Sequence, residues 1–255
     1  MKIKKYRIVL SLFSILLVIG IWDIITYFHL VNVSLLPSPI AVLNAFIYLA
    51  QSKELTGHIF ASLGRVILGF LIGSLLGLIF AIIASRSSIW KSIISPWIEI
   101  VRPIPPLAWI PLAILWFGIG NKSAVFLVAL GSFFPVYSNV YDGIASIQKK
   151  YYDAARVLGA SSTLIFLHII IPSVLPNMLT GFRVGLGISW MIVITAELVG
   201  ATSGLGYFIQ LNRILLQTDR VIVGMILIGI LGFMINYLIT HIEKYSLRWR
   251  ENEIR

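Results

Sequence analysis

The chain contains no cysteine, which excludes disulfides, thiolate metal sites and cysteine nucleophiles. Acidic residues are scarce too, ten Asp and Glu against 20 Lys and Arg, and charged residues of both signs make up only 12% of the 255. Soluble domains carry about 25% charged residues because their surface must face water. A chain with half that share and 58% hydrophobic residues cannot cover such a surface. Its mean hydropathy of +0.95 fits an integral membrane protein. The four histidines, His29, His58, His168 and His241, show no metal-ligand spacing. No G-x-x-x-x-G-K-[ST] stretch occurs, so the chain has no P-loop of its own with which to hydrolyse ATP.

What is present is long apolar runs. A transmembrane helix needs about 20 mostly apolar residues. Six stretches qualify or nearly qualify, roughly 8–28, 60–84, 107–120, 123–141, 176–199 and 221–242, the third being short and flanked by prolines. The fold expected is therefore all-α, a polytopic bundle of about six transmembrane helices. No linker, low-complexity tract or internal repeat divides it, so residues 1–255 form one domain.

The N-terminus, "MKIKKYRIVLSLFSILLVIG", has the basic start and apolar core of a signal peptide. The apolar run continues through "IWDIITYF" with no small-residue cleavage site, so it reads as a retained anchor. Basic residues collect on cytoplasmic segments. With the N-terminus inside, the cytoplasmic segments hold fourteen: Lys2, Lys4, Lys5, Arg7, Arg86, Lys91, Arg102, Lys149, Lys150, Arg156, Lys244, Arg248, Arg250 and Arg255. The external segments hold four, Lys53, Lys122, Arg213 and Arg220. Both termini are expected to be cytoplasmic. The net charge of +10 then expresses topology and not a nucleic-acid footprint. Trp22 and Tyr27 outside, with Tyr245 and Trp249 inside, read as interfacial anchors.

The connections carry more information than the spans. In the external loop 29–59, Ser38 can cap a helix whose first position is Pro39 and which reaches about Ala50. The last external loop, "ATSGLGYFIQLNRILLQTD", reads as a glycine turn and a short helix. Inside, the loop from about 142 to 175 is too long for a turn. Its segment "KKYYDAARVLGAS" places Asp153 near a helix start, where the dipole favours an acid, and Arg156 one turn on. Ala154, Ala155 and Leu158 form a patch of small and medium apolar side chains, and Gly159 supplies the stop. A second segment, "STLIFLHIII", runs to Pro172, with Pro176 before the next span. The expected shape is a short surface helix, a sharp bend and a return into lipid helped by the prolines. Physics alone leaves two readings open: an interfacial helix that caps the bundle, or a docking element for another protein.

Asp153-Ala154-Ala155, three residues, Gly159, nine residues and Ile169-Ile170-Ile171-Pro172 together resemble the cytoplasmic loop motif of bacterial ABC import permeases. That motif usually reads Glu-Ala-Ala, Gly and Ile-x-Leu-Pro at the same spacing; this chain has Asp for Glu and Ile for Leu. The stretches "RPIPPLAWIPLAILWFGIG", "GSFFPVYSNV", "AELVGATSGLGYFI" and "LLQTDRVIVGMILIGILG" resemble permeases of the nitrate, taurine and aliphatic sulfonate import group. The resemblance runs from about Leu36 onward. It implies a permease of the bacterial cell membrane, paired with a second permease chain in a homodimer. It also implies two copies of an ATP-binding ABC subunit, which hold ATP and Mg, and an extracytoplasmic substrate-binding protein. Asp153, Ala154, Ala155, Arg156, Leu158, Gly159 and Pro172 would form the loop that engages the ATPase. The chain itself would bind no cofactor or metal and perform no chemistry.

Charged residues inside spans want a partner or water. Arg65 lies near the outer end of its span, as do Asp23 and Glu197, and can pair with either acid. Such a pair is either a staple between spans or part of the translocation path or outer gate. Arg183, about two turns into the fifth span, can meet an anionic substrate, bond carbonyls or pair with Asp142 or Glu99. Ser189, Trp190 and Thr195 on the same span can line a path. Gly69, Gly73 and Gly77, like Gly181 and Gly185, repeat every four residues and read as close-approach faces. Pro135 is expected to kink the fourth span. The competing readings are an ion-gradient-driven secondary transporter and a membrane-embedded enzyme. The first tends to show internal repeats and mid-membrane acids, and the second a catalytic constellation; neither is seen.

Overall fold

The computed structural model describes residues 2–248, with side chains from Leu10 onward except Ser11 and Leu12. The side chains of Lys2, Lys4, Lys5 and Arg7, and the residues Trp249, Arg250 and Arg255, lie outside the described part. The described residues form an all-helical membrane bundle. The chain opens with α1 (Lys2–Tyr27), continues through α2 (Pro39–Gln51) and enters the long α3 (Glu54–Arg86). Ser38 caps α2 as expected, its hydroxyl accepting from the Ala41 N–H at 3.2 Å with Pro39 at the first turn. Glu54 in the first turn of α3 and Arg86 in its last both suit the helix dipole.

The stretch 107–120, expected to be one span, is instead one arm of an elbow. Helix α4 (Ser88–Val101) leads into a 3-10 turn (Pro106–Trp109) and α5 (Ile110–Phe117), and the two arms are bent by 87°. Pro103, Pro105 and Pro106 account for the bend: each lacks an N–H, and each pushes the residue before it towards extended backbone. Among the described residues four helices are long and apolar enough to cross a membrane, five if the elbow counts as one crossing. The apolar part of α1, Phe13–Tyr27, is shorter.

Three helices make the centre. Helix α6 (Asn121–Ala145) is sandwiched between α3 and α9 (Ile171–Gly200). The glycine faces explain this closeness. A Cβ at Gly73 would strike the Ala129 carbonyl and Ser132 Oγ, and one at Gly69 would sit 2.6 Å from Val128 Cγ1. On the other side, Gly181 and Gly185 meet the backbone of α6 at Val136 and Ser132. Lipid is as apolar as leucine, so close van der Waals contact takes the place of the hydrophobic effect in driving this association. Pro135 lies within α6, and Asn139 donates to its carbonyl at 2.8 Å. Two apolar clusters fill the seams, one around Val66, Leu127 and Val193, the other around Ala81, Val136 and Val174. Helix α11 (Thr218–Ser246) packs outside these, with α2 laid across its start and Trp22 donating to the Pro37 carbonyl at 3.0 Å.

Candidate functional site

Helix α7 (Lys149–Val157) has no buried residue. Val157 and Leu158 are 87% and 86% exposed, which is unusual for apolar side chains outside lipid-facing helices. The chain stops α7 with a Schellman turn. Gly159, at φ 78°, donates to the Arg156 carbonyl at 2.9 Å, and Ala160 donates to the Ala155 carbonyl at 3.0 Å. A side chain at Gly159 would meet open space, so glycine is needed there for its backbone angle alone. Asp153, Ala154 and Arg156 are exposed and Ala155 is half-buried, so the expected patch does face outward. Tyr152 turns the other way, and burial pushes its hydroxyl above the usual phenol range.

The return into the membrane differs from expectation. The bend is made by Gly159–Ala160–Ser161 alone, with Ser161 capping α8 (Ser162–Ile165) by accepting from Leu164 N–H at 3.3 Å. From there one continuous helix runs through a π turn (Phe166–Ile170) into α9, 39 residues from Ser162 to Gly200. Pro172 and Pro176 do not break it; they are absorbed within α9. Pro172 follows the wide turn with Ile171 between them, in the first turn of α9, where the missing N–H and the bulky ring cost least.

At the far end of the same helix lies a buried polar node. Arg65 and Glu197 pair at 2.6 Å, their side chains 4% and 0% exposed. All five guanidinium N–H groups are used: one on Glu197, two on Asn121 Oδ1 at 2.7 and 2.8 Å, and two on the carbonyl and hydroxyl of Ser203 at 2.7 and 2.6 Å. Glu197 also accepts from the Ser62 hydroxyl and, at 3.0 Å, from the Gly206 N–H that opens α10 (Leu205–Ile214). The Ser62 oxygen takes the Leu205 N–H at 2.9 Å, and His58 Nδ1 takes the Gly204 N–H at 3.1 Å. Gly204, at φ 104°, has no room for a Cβ beside the Glu197 carboxylate. The node therefore clamps α3, α6, α9 and α10 together. Of the two acids expected for Arg65, Glu197 is the partner; Asp23 is in no ion pair among the described residues. His58, Ser62, Asn121, Ser203 and the two glycines were not foreseen. Their signal was the spacing 58, 62, 65, one face of a helix opposite "SGLG".

The other residues on α9 are dispersed. Ser189 is fully buried against α6, its hydroxyl 3.4 Å from the Val128 carbonyl. Thr195 bonds back to Met191 at 3.1 Å, and Trp190 donates to Ile228 of α11 at 3.2 Å. Arg183 meets neither Asp142 nor Glu99. It pairs with Glu243 of α11 at 3.1 Å, 40% exposed against 14%.

Comparison with known proteins adds to this geometry. A Bacillus subtilis (strain 168) protein named as an aliphatic sulfonates transport permease, SsuC, is 37% identical over 249 residues, covering 98% of this chain and 90% of that protein. The taurine transport system permease protein TauC of Escherichia coli (strain K12) is 34% identical over 248 residues, covering 95% and 90%. Among solved structures, an inward-facing form of the MetNI methionine ABC transporter matches with a TM-score of 0.63 at 21% identity, covering 75% of this chain and 94% of that one. That match speaks to the fold. Residues 69–247, from the glycine face of α3 through the loop to α11, match the family model, and the chain belongs to the binding-protein-dependent transport system inner membrane components.

Proposed function

We propose that the chain is the permease subunit of an ATP-driven ABC importer in a bacterial cell membrane. Two copies form the path, two separate ATPase subunits grip the paired α7 helices, and an extracytoplasmic binding protein delivers the solute. Both termini face the cytoplasm in this reading, which the excess of basic residues on those segments supports. The observation that carries the reading is α7 itself: a helix with no buried residue, exposing Val157 and Leu158, closed by a glycine turn in a chain of this family. ATP binding would draw the paired α7 helices together and open the bundle outward; hydrolysis would reset it. Asp153, Ala154, Ala155, Arg156, Leu158, Gly159 and Pro172 would carry the coupling.

The solute is a small anion of the sulfonate, taurine or nitrate type. Support comes from the relatives, two of them named for aliphatic sulfonates and taurine. Arg183 lends none, because Glu243 already balances its charge. Arg65 and Glu197 act at the outer gate, as a clamp that must loosen if α3, α9 and α10 part. Co-purification of the tagged chain from native membranes tests the coupling. An ATPase subunit should accompany the wild type and be lost with Ala155→Arg or Leu158→Arg at equal membrane levels. Its absence from wild type after crosslinking would overturn the proposal in favour of an ion-driven carrier.

A further inference from the structure

The end of the bundle opposite the Arg65 node contains two adjoining cavities. The larger, about 580 Å³, opens where the ends of α3 and α6 meet α7 and the start of the 39-residue helix. Arg86 and Arg156 line it from two different elements, together with Thr163, and among the described residues no Asp or Glu lines it. Neither arginine is in an ion pair among the described residues. The rest of the wall is largely apolar, with Ile144, Ile165 and Ile170 among its side chains. The smaller cavity, about 330 Å³, shares Tyr152 with the first and adds Lys91.

Two guanidinium groups lining one space without a carboxylate among the described residues leave a positive charge there that an anion would offset. Their forked N–H groups match phosphate oxygens in particular. The chemistry shared by any ligand of this site is thus a phosphate ester, carried either by a soluble molecule or by a membrane lipid. The isoleucine wall decides between them: a soluble phosphate leaves it wet, whereas an acyl chain covers it. We infer that this cavity binds the phosphate headgroup of an anionic membrane lipid, seated between Arg86 and Arg156 with a chain along the isoleucines. The lipid would join α3 to α7, which has no fully buried residue of its own, and so set the position of the docking helix. The inference rests on the cavity and its charges and stands whether or not an ATPase binds α7.

Native mass spectrometry of the full-length chain, with whatever co-purifies, tests it after reconstitution in equal phosphatidylglycerol and phosphatidylcholine. Each basic residue at a membrane surface strengthens anionic-lipid binding by about fivefold. The wild type should retain phosphatidylglycerol in preference. Arg86→Gln should lower that retention about fivefold, Arg86→Lys should keep most of it, and Arg102→Gln, outside both cavities, should keep all of it. Should Arg86→Gln fail to fold, the exposed Arg156→Gln gives the same comparison. Inorganic phosphate and glycerol phosphate at millimolar levels should displace nothing. Equal retention of the two lipids, no loss in the arginine variants, or displacement by inorganic phosphate would overturn the assignment.

Discussion

Replacing Glu197 by alanine removes the centre of the buried node and leaves Arg65 charged in a space with 4% exposure. Three donors lose an acceptor at once: one of the five Arg65 N–H groups, the Ser62 hydroxyl and the Gly206 N–H. Breaking one side of a buried ion pair costs about 3–5 kcal/mol, and the loss of the Gly206 bond places this case towards the upper part of that range. An exposed pair would cost about 0–1 kcal/mol. The assay is equilibrium unfolding in mixed detergent–SDS micelles, followed through the seven tryptophans. Arg65→Ala and the double variant complete a cycle, and Asp23→Ala, which breaks no ion pair among the described residues, is the control. The double variant should lose clearly less than the sum of the singles, because removing both charges leaves no bare ion. A loss below about 1 kcal/mol for Glu197→Ala, or singles that simply add, would refute the argument that this pair is buried and coupled.

Gly73→Ala, whose Cβ would strike the Ala129 carbonyl, should cost about 1–3 kcal/mol in the same assay, whereas Gly64→Ala, with nothing within 4 Å, should be neutral or slightly stabilising. Gly159→Pro forces a φ near −65° where the chain needs 78° and deletes the N–H donated to Arg156. It should leave the protein inserted but separate ATP hydrolysis from uptake in proteoliposomes; normal uptake would refute the coupling role. The charge swap Arg183→Glu with Glu243→Arg should preserve uptake, while either single change costs roughly 1 kcal/mol of stability. Uptake lost in the swap with stability intact would instead return Arg183 to the path.

The spans were legible because lipid imposes a simple demand, a run of apolar residues closed on its own backbone bonds. Residues 60–84 and 123–141 fall inside α3 and α6, and the four-residue glycine spacing named their mutual face correctly. The elbow was harder. Hydropathy averages over "SIISPWIEIVRPIPPLAWI" and sees no direction, whereas three prolines within four residues turn the chain by 87°. Pro172 and Pro176 misled in the opposite sense, since both sit within one continuous helix, Pro172 two residues past the end of a π turn. Arg65 and Glu197 were each recognisable as charges in need of partners. Their shared acceptors and donors were not, because Asn121 comes from one place in the chain, Ser203 and Gly206 from another, and none does anything unusual in sequence.

The two candidate sites lie at opposite ends of one helix. Ser162 begins it one residue after the bend that follows α7, and Glu197 stands three residues before its end at Gly200. Thirty-nine residues at 1.5 Å each reach about 58 Å, nearly twice the hydrocarbon thickness of about 30 Å. Glycines at 181 and 185 seat it against α6, so it is held stiffly in its middle. The irregularities, a π turn and two prolines, are confined to the first fifteen residues beside α7. A partner that displaces α7 would therefore meet compliance first and a rod after it, and the rod's far end carries the carboxylate that clamps α3 and α10. Deleting Leu167 removes the extra residue of the wide turn and rotates α7 by about 100° relative to α9. The variant should insert and keep the Arg65–Glu197 node, as judged by unchanged unfolding in the Glu197 assay. It should nevertheless lose coupled uptake, because the docking face would point elsewhere. Full uptake with the residue deleted would show that the helix does not transmit the orientation of α7.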